Sequence, residues 1–455
     1  MMRPFSLLEV TGWVYGTLTR GSGQITGIST DTRSLQPGDL FVALRGERFD
    51  GHDFLYQAQS AGAAAALVDT VEPGMAMPQI EVQDTLEGLS QLALANRRQS
   101  KAATVAVTGS SGKTTVKEML AAILSEEGET LATQGNLNNH IGAPLTLMRL
   151  APEHRFAVIE LGASGIGEIA GTVRLTRPDV SVITNAGDAH LGGFGSYDNI
   201  VEAKGEIVEG VPAEGTVVLN RDDRAFGIWS ARAGGRKVVS VSLQDDSADL
   251  WASSIETVPT GYRFTAQQAN GGALAVNLPL VGEHNVLNAL LAIAASRALG
   301  AQDRAIVAGL AKLKPVSGRL HIVPLANGSE LIDDSYNANP ASIKAALKTL
   351  AGRPGAHVAV LGAMAELGDA SDRLHAEVGR YARELGIGTL LAVGEDAKAY
   401  GAGYGSDTVF CKDHATAIMQ VQSLCRQKTI SVLVKGSRSA AMDVVARALT
   451  EEKGN

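Results

Sequence analysis

Short β-branched runs alternate with amphipathic stretches along most of this chain, and glycine or polar breaks follow nearly every run. An apolar run bounded by breaks reads as a buried strand, and apolar spacing of three and four reads as a helix. By that rule residues 24–30 (QITGIST), 38–46 (GDLFVALRG), 63–69 (AAAALVD) and 78–83 (PQIEVQ) predict strands, with a helix over 52–62. A helix over 86–98 (LEGLSQLALANRR) follows, and a boundary near Thr85 closes a first block, 1–84.

The second block, 85–313, repeats the alternation, with strands at 104–108, 156–161 (FAVIEL), 179–184 (DVSVIT) and 215–220 (GTVVLN). Strands separated by helices predict a parallel, doubly wound sheet. Over 251–280 the period changes to two, which predicts an antiparallel hairpin added to that sheet. Residues 282–300 predict a helix closed by Gly300 as its C-cap. The third block, 314–455, reads strand (329–334), helix (340–352), strand (357–362), helix (372–386), strand (389–394), strand (429–436) and a last helix. The expected class is α/β in three domains: a small N-terminal α/β domain, a central phosphate-loop domain on a parallel sheet, and a C-terminal Rossmann-like domain.

Composition narrows the function. At 455 residues the chain is too long for one ordinary domain, and 45% hydrophobic residues suffice for several cores. The 51 glycines suit many tight strand–helix turns. A net charge of −8 without a long basic run argues against nucleic-acid binding. Cys411 and Cys425 are too few for a disulfide framework or a thiolate metal site. No apolar run nears the roughly 20 residues of a membrane span, and the N-terminus lacks the apolar core of a signal peptide. A cytoplasmic monomer without membrane insertion is expected.

The chemistry concentrates at 104–115, TVAVTGSSGKTT, where a strand runs into a glycine-rich loop and then a helix. Gly109, Ser110, Ser111 and Gly112 can wrap a polyphosphate at the helix N-terminus, Lys113 can reach its outer phosphates, and Thr114 and Thr115 follow. Val107 stands where the usual spacing has a first glycine, so the loop is a shortened one. Glu160 ends a strand of the same sheet, where a carboxylate either binds Mg²⁺ or caps a turn. His190 follows a strand tip and could ligate a metal, hydrogen-bond a phosphate or simply be solvated. Lys204 in a helical segment reads by itself as a surface salt bridge. Asn136, Asn138, Asn139 and His140 form a polar loop that suits either a ligand or an Asn-stabilised turn. Asp333, Asp334, Tyr336, Asn337 and Asn339 cluster before Pro340, more polar groups than a helix cap needs.

Together these segments resemble the Mur ligases of bacterial cell-wall synthesis, over essentially the whole chain. TGSSGKTT resembles that family's shortened phosphate loop, and STDTRSLQPGDLFVALRGERFDGHDF resembles an N-terminal UDP-sugar domain. GNLNNHIGAPLTL, GEHNVLNALLA, SGRL, DDSYNANP, GAMAELGDASDRLH and KGSRS are similar to later motifs. DDSYNANP and the MAELG segment point to the members that add D-alanyl-D-alanine to UDP-N-acetylmuramoyl-tripeptide. The resemblance implies ATP and Mg²⁺ as cofactors, held by Lys113, Thr114, Glu160 and His190, with Lys204 carrying a carbamate. It also implies an adenine contact at Asn285, and nucleotide or acyl-phosphate contacts at Arg319, Asp334 and Lys435. Asp31, Arg33 and the 136–140 loop match positions at the UDP-sugar peptide site. The implied reaction is amide synthesis through an acyl phosphate. A folate polyglutamylating enzyme, a sister Mur ligase, or a phosphate-loop switch NTPase are the alternatives.

Overall fold

The computed structural model describes residues 2–187 and 191–451. Four sheets carry the fold, and three of them match the three blocks of the sequence pattern. The first block builds a five-stranded sheet whose members include Gly27–Ser29, Asp39–Val42, Ala65–Val68 and Gln79–Glu81, with parallel pairing through these four. A two-stranded antiparallel ribbon pairs Phe5–Ser6 with Gln24–Ile25, so the strand expected over 24–30 is divided between this ribbon and Gly27–Ser29. Phe5–Ser6 and the short helix Leu7–Trp13 were not visible in the pattern, and a two-residue strand is too short for period two to register.

Asp84 then starts the helix Thr85–Gln99 by accepting from the Leu86 and Glu87 amides at 2.7 and 2.9 Å. Leu89, Leu92 and Ala93 of this helix lie in one continuous apolar core with Leu40, Leu67 and Ile80 of the first sheet and Leu147, Ile159 and Leu161 of the second block. The first two blocks therefore share a core.

The central sheet has nine strands. Ala103–Thr108 lies in the middle, between Phe156–Glu160 and Val180–Ile183, and all of these pairs are parallel. Because the chain crosses to the other side of Ala103–Thr108 after Phe156–Glu160, the order reverses there. Such a reversal opens a crevice at the carboxyl ends of the strands. The alternating segment forms three strands, Leu250–Val258, Gly261–Gln268 and Ala273–Leu278, a meander where a single hairpin was expected. Helix His284–Ala298 ends at Gly300 as the pattern predicts, with the Ala301 amide reaching back to the Ser296 carbonyl at 3.0 Å.

The third block builds a six-stranded sheet with Ile430–Lys435 inserted between Glu330–Asp334 and Ala356–Gly362. Only the edge strand His321–Pro324 is antiparallel. Strand Val409–Cys411 and helix His414–Gln427 lie between the two strands that the pattern read as consecutive. The omission has a physical reason: Val409–Cys411 is a three-residue edge strand, and with Phe410 exposed and Cys411 buried it is too short to show a periodic pattern. Apolar residues of this unit pack into two clusters of their own, joined from the second block by Val281.

Candidate active site

The phosphate loop occupies the order reversal of the central sheet. Val107 lies inside the buried strand, so the loop proper is Gly109–Gly112. Gly109 has φ of +145° and Gly112 has φ of +81°, both closed to ordinary side chains. Space forbids a side chain there as well. A Cβ at Gly109 would lie 1.9 Å from Thr184 Oγ1, and one at Gly112 would lie 2.7 Å from Asn288 Oδ1.

Residues that the sequence reading passed over hold the loop in shape. The Ser111 amide donates to Asn185 Oδ1 at 3.0 Å, and Asn185 Nδ2 and Thr184 Oγ1 both donate to the Ser111 carbonyl, at 3.1 and 2.6 Å. Ser110 Oγ accepts from the Gly187 amide at 2.9 Å. The available signal was Thr184 and Asn185, polar residues that end a mostly apolar strand pattern. Lys113 opens helix Lys113–Ser125 and donates from Nζ to the Gly109 carbonyl at 2.7 Å, across the loop. Burial lowers the pKa of its ammonium, and the nearby Glu160 carboxylate opposes that. Thr115 lies half-buried in the first turn of the same helix.

Glu160 is buried beside this loop. Oε1 accepts from Asn138 Nδ2 at 2.8 Å, while Oε2 has no hydrogen-bond partner among the described residues. A carboxylate oxygen buried without a donor is costly unless a cation meets it. The link from Asn138 brings the asparagine loop to the site. Asn139 instead accepts from the Gly142 amide at 2.9 Å, at the start of helix Gly142–Met148, and Asn136 and His140 are exposed. His190 lies outside the described residues.

Lys204 is not a surface salt bridge. It is 1% exposed, with Nζ 5.1 Å from the Phe194 ring centroid and 3.5 Å from the Ala163 carbonyl. Burial, reinforced by the Lys113 charge, lowers its pKa to about 7. A large share of this amine is therefore neutral at neutral pH.

The third unit reaches into the site. Arg319 donates to Thr114 Oγ1 at 3.0 Å, and its guanidinium stacks 4.4 Å from the Tyr336 ring centroid. Asp333, which carried no assigned role, accepts from the Gly318 amide at 3.0 Å and so holds the segment that carries Arg319. Asp334 accepts from the Leu320 amide at 3.1 Å and pairs with Lys435 Nζ at 2.6 Å, both groups buried. Burial pushes the Asp334 carboxyl upward, and the Lys435 ammonium pulls it back. Lys435 also donates to the Asn337 carbonyl at 2.9 Å. Asn339 caps helix Pro340–Ala351 through Ser342, so its side chain is engaged by the helix.

Asn285 is buried, with its amide donating to the Val281 carbonyl at 2.7 Å and its Oδ1 accepting from Asn288 at 2.9 Å. It thereby holds Asn288 against Gly112. Asp31 and Arg33 lie in the turn after strand Gly27–Ser29 of the first sheet, joined by a fork with Nη2 at 2.6 Å that holds the Asp31 carboxyl down at about 2. Among the described residues no cluster of three or more His, Cys, Asp or Glu forms a metal site, and no helix is long and apolar enough to cross a membrane.

Models of the Mur ligase family match most of the chain: the catalytic domain model over residues 24–97, the middle domain over 107–296 and the glutamate ligase domain over 318–438. The UDP-N-acetylmuramoyl-tripeptide–D-alanyl-D-alanine ligase of Escherichia coli K12 is 47% identical over 446 residues, 98% of each chain. The chain is a Mur ligase. Like this Mur ligase, MurF from Acinetobacter baumannii arranges its elements over 99% of both chains, with a TM-score of 0.94 and 36% identity. MurF ligase from Thermotoga maritima, solved with ADP, aligns to this Mur ligase at a TM-score of 0.84 and 26% identity, over 94% of this chain and 97% of that one.

Proposed function

We propose that this Mur ligase joins D-alanyl-D-alanine to UDP-N-acetylmuramoyl-tripeptide, using ATP, in peptidoglycan precursor synthesis. The observation that carries the reading is the contact of Arg319 with Thr114, which joins two units of one chain at the phosphate loop. A ligase that must phosphorylate one substrate and admit another needs such a shared site.

A carboxylate does not react with amines, so it must first gain a leaving group. The terminal carboxylate oxygen of the tripeptide attacks the ATP γ-phosphorus, and the bond to ADP breaks. The D-alanyl-D-alanine amine then attacks the acyl carbon, the bond to phosphate breaks, and nitrogen loses a proton. The first step brings anions together. Lys113, Arg319 and Lys435 supply fixed positive charge there, and the amides at the start of helix Lys113–Ser125 add theirs. Asp334 holds Lys435 in place through the 2.6 Å pair.

Mg²⁺ fits the donor set. Glu160 Oε2, buried without a hydrogen-bond partner among the described residues, and the Thr114 hydroxyl would hold it, with Lys204 as carbamate and His190 as further ligands. When bound, it neutralises phosphate charge. A carbamate on Lys204 is supported by an amine that is both buried and neutral enough to add carbon dioxide. The Asp31–Arg33 pair and the Asn136–His140 loop would take the UDP-linked peptide, and Asn285 the adenine. Tyr336, Asn337 and Asn339 line the strand end beside Arg319 and Lys435. The proposed units are 1–84 for the UDP-sugar, 85–313 for ATP and 314–455 for closure and ligation. The enzyme is proposed to act as a monomer, and ATP as substrate supports the cytoplasm as compartment.

Phosphate release from ATP tests the reading. With UDP-muramoyl-tripeptide present, release is expected with D-alanyl-D-alanine and not with single amino acids. Release that ignores the dipeptide would count against the assignment.

A further inference from the structure

The loop 363–368 follows strand Ala356–Gly362 at the carboxyl edge of the third sheet, and its start is tied down at three points. Tyr400 donates its hydroxyl to the Gly362 carbonyl at 3.1 Å, and the Ser437 amide donates to the Ala363 carbonyl at 2.9 Å. The third tie is His375, which has no exposed surface. Its Nε2 accepts from the Met364 amide at 2.9 Å, and its Nδ1 donates to the Ser371 carbonyl at 2.8 Å. An acceptor at Nε2 requires the neutral ring with its proton on Nδ1, and the Ser371 carbonyl selects that tautomer. Burial favours the neutral ring, with Asp372 and Asp396 the charges that oppose it and the Tyr400 ring edge-on at 4.7 Å.

Beyond these ties the loop does two things. Ala363, Met364 and Ala365 wall a cavity of about 220 Å³ with Asp372, Asp396 and Ser437. Glu366, at φ of +61°, turns its carbonyl to the Gly192 amide of the central unit at 2.7 Å. A positive φ in a residue other than glycine persists only where its surroundings impose it.

We propose that this cavity, whose Asp372 and Asp396 carboxylates can meet an amine, takes the dipeptide and that His375 is its positioning residue: the neutral imidazole pins the Met364 amide, so that loop 363–368 walls the cavity and meets Gly192 in one arrangement. Both ring nitrogens are engaged by the backbone, which leaves the imidazole none to offer a ligand. The proposal rests on the ligase reading given above.

Steady-state kinetics of the full chain test it. His375→Phe fills the space without an acceptor and leaves the Met364 amide buried without a partner. The KM for D-alanyl-D-alanine is expected to rise about tenfold, with the Kd for an ATP analogue unchanged. His375→Gln can accept the same amide and is expected to restore the wild-type KM. His375→Asn is too short to reach it, and should repeat the phenylalanine result should that variant not fold. A wild-type dipeptide KM in the phenylalanine or asparagine variant, or equal values for phenylalanine and glutamine, overturns the proposal. Wild-type phosphate release that does not depend on the dipeptide overturns instead the ligase reading on which it rests.

Discussion

Replacing Lys113 by alanine is expected to lower turnover by about 100- to 1,000-fold while the thermal midpoint stays near that of the wild type. The rate is lost because Lys113 opens the helix at the order reversal and its ammonium lies against the phosphate loop. The transferring phosphoryl group gathers negative charge there, and one fixed cation is removed. Stability is spared because, among the described residues, the ammonium bonds only carbonyls of its own loop, Gly109 and Ser110. The loop's shape comes instead from Thr184 and Asn185. Turnover and thermal midpoint measured on one preparation decide the matter. Near-normal turnover would remove Lys113 from the reaction, and a large fall in the midpoint would make the lysine structural.

Lys204→Ala and Lys204→Arg are expected to be equally inactive. A carbamate on Lys204 would be an anionic ligand, and an ammonium or guanidinium in its place would repel a cation. Arginine keeps the positive charge and cannot form the carbamate, so it rescues nothing. A surface ion pair would behave oppositely, tolerating arginine and costing at most about 1 kcal/mol as alanine. The burial of Lys204 already argues against that. Short carboxylic acids are expected to restore part of the activity of Lys204→Ala by filling the vacated ligand position. The pH dependence has a definite sign. The amine adds carbon dioxide only when neutral and its pKa is lowered to about 7, so carbamate occupancy falls as pH drops below 7. Wild-type turnover in Lys204→Arg, or no rescue by any short acid, would end the carbamate assignment.

The sequence was most legible where one local rule decided the outcome. The loop at 109–112 needs two glycines whose backbone and surroundings both exclude side chains, so the motif was plain. Pro340 was legible as a helix start, whereas Asn339, grouped with the polar residues before it as a ligand contact, proves to be the cap of that helix. Lys204 was not legible from the residue alone. A lysine in a helical segment looks solvated, and only the fold reveals that Phe194 and Ala163 enclose it. Thr184, Asn185 and Asp333 were missed because they act on backbone groups far away in sequence, and no periodic pattern records such a bond. The short strands Phe5–Ser6 and Val409–Cys411 were missed because two or three residues are too few to show hydrophobic alternation.

The helix Thr85–Gln99 binds the first two blocks into a single apolar interior, whereas the last block keeps an interior nearly to itself. Apart from Val281, the side-chain ties described across the boundary are polar, Arg319 with Thr114 and Lys348 with Glu283. Mechanically this makes a bipartite tool from a tripartite sequence: an anvil of roughly the first three hundred residues and a hammer formed by the rest. Polar ties can be exchanged for water with little loss, so the hammer can lift and fall in each catalytic cycle without disturbing the packing of the anvil.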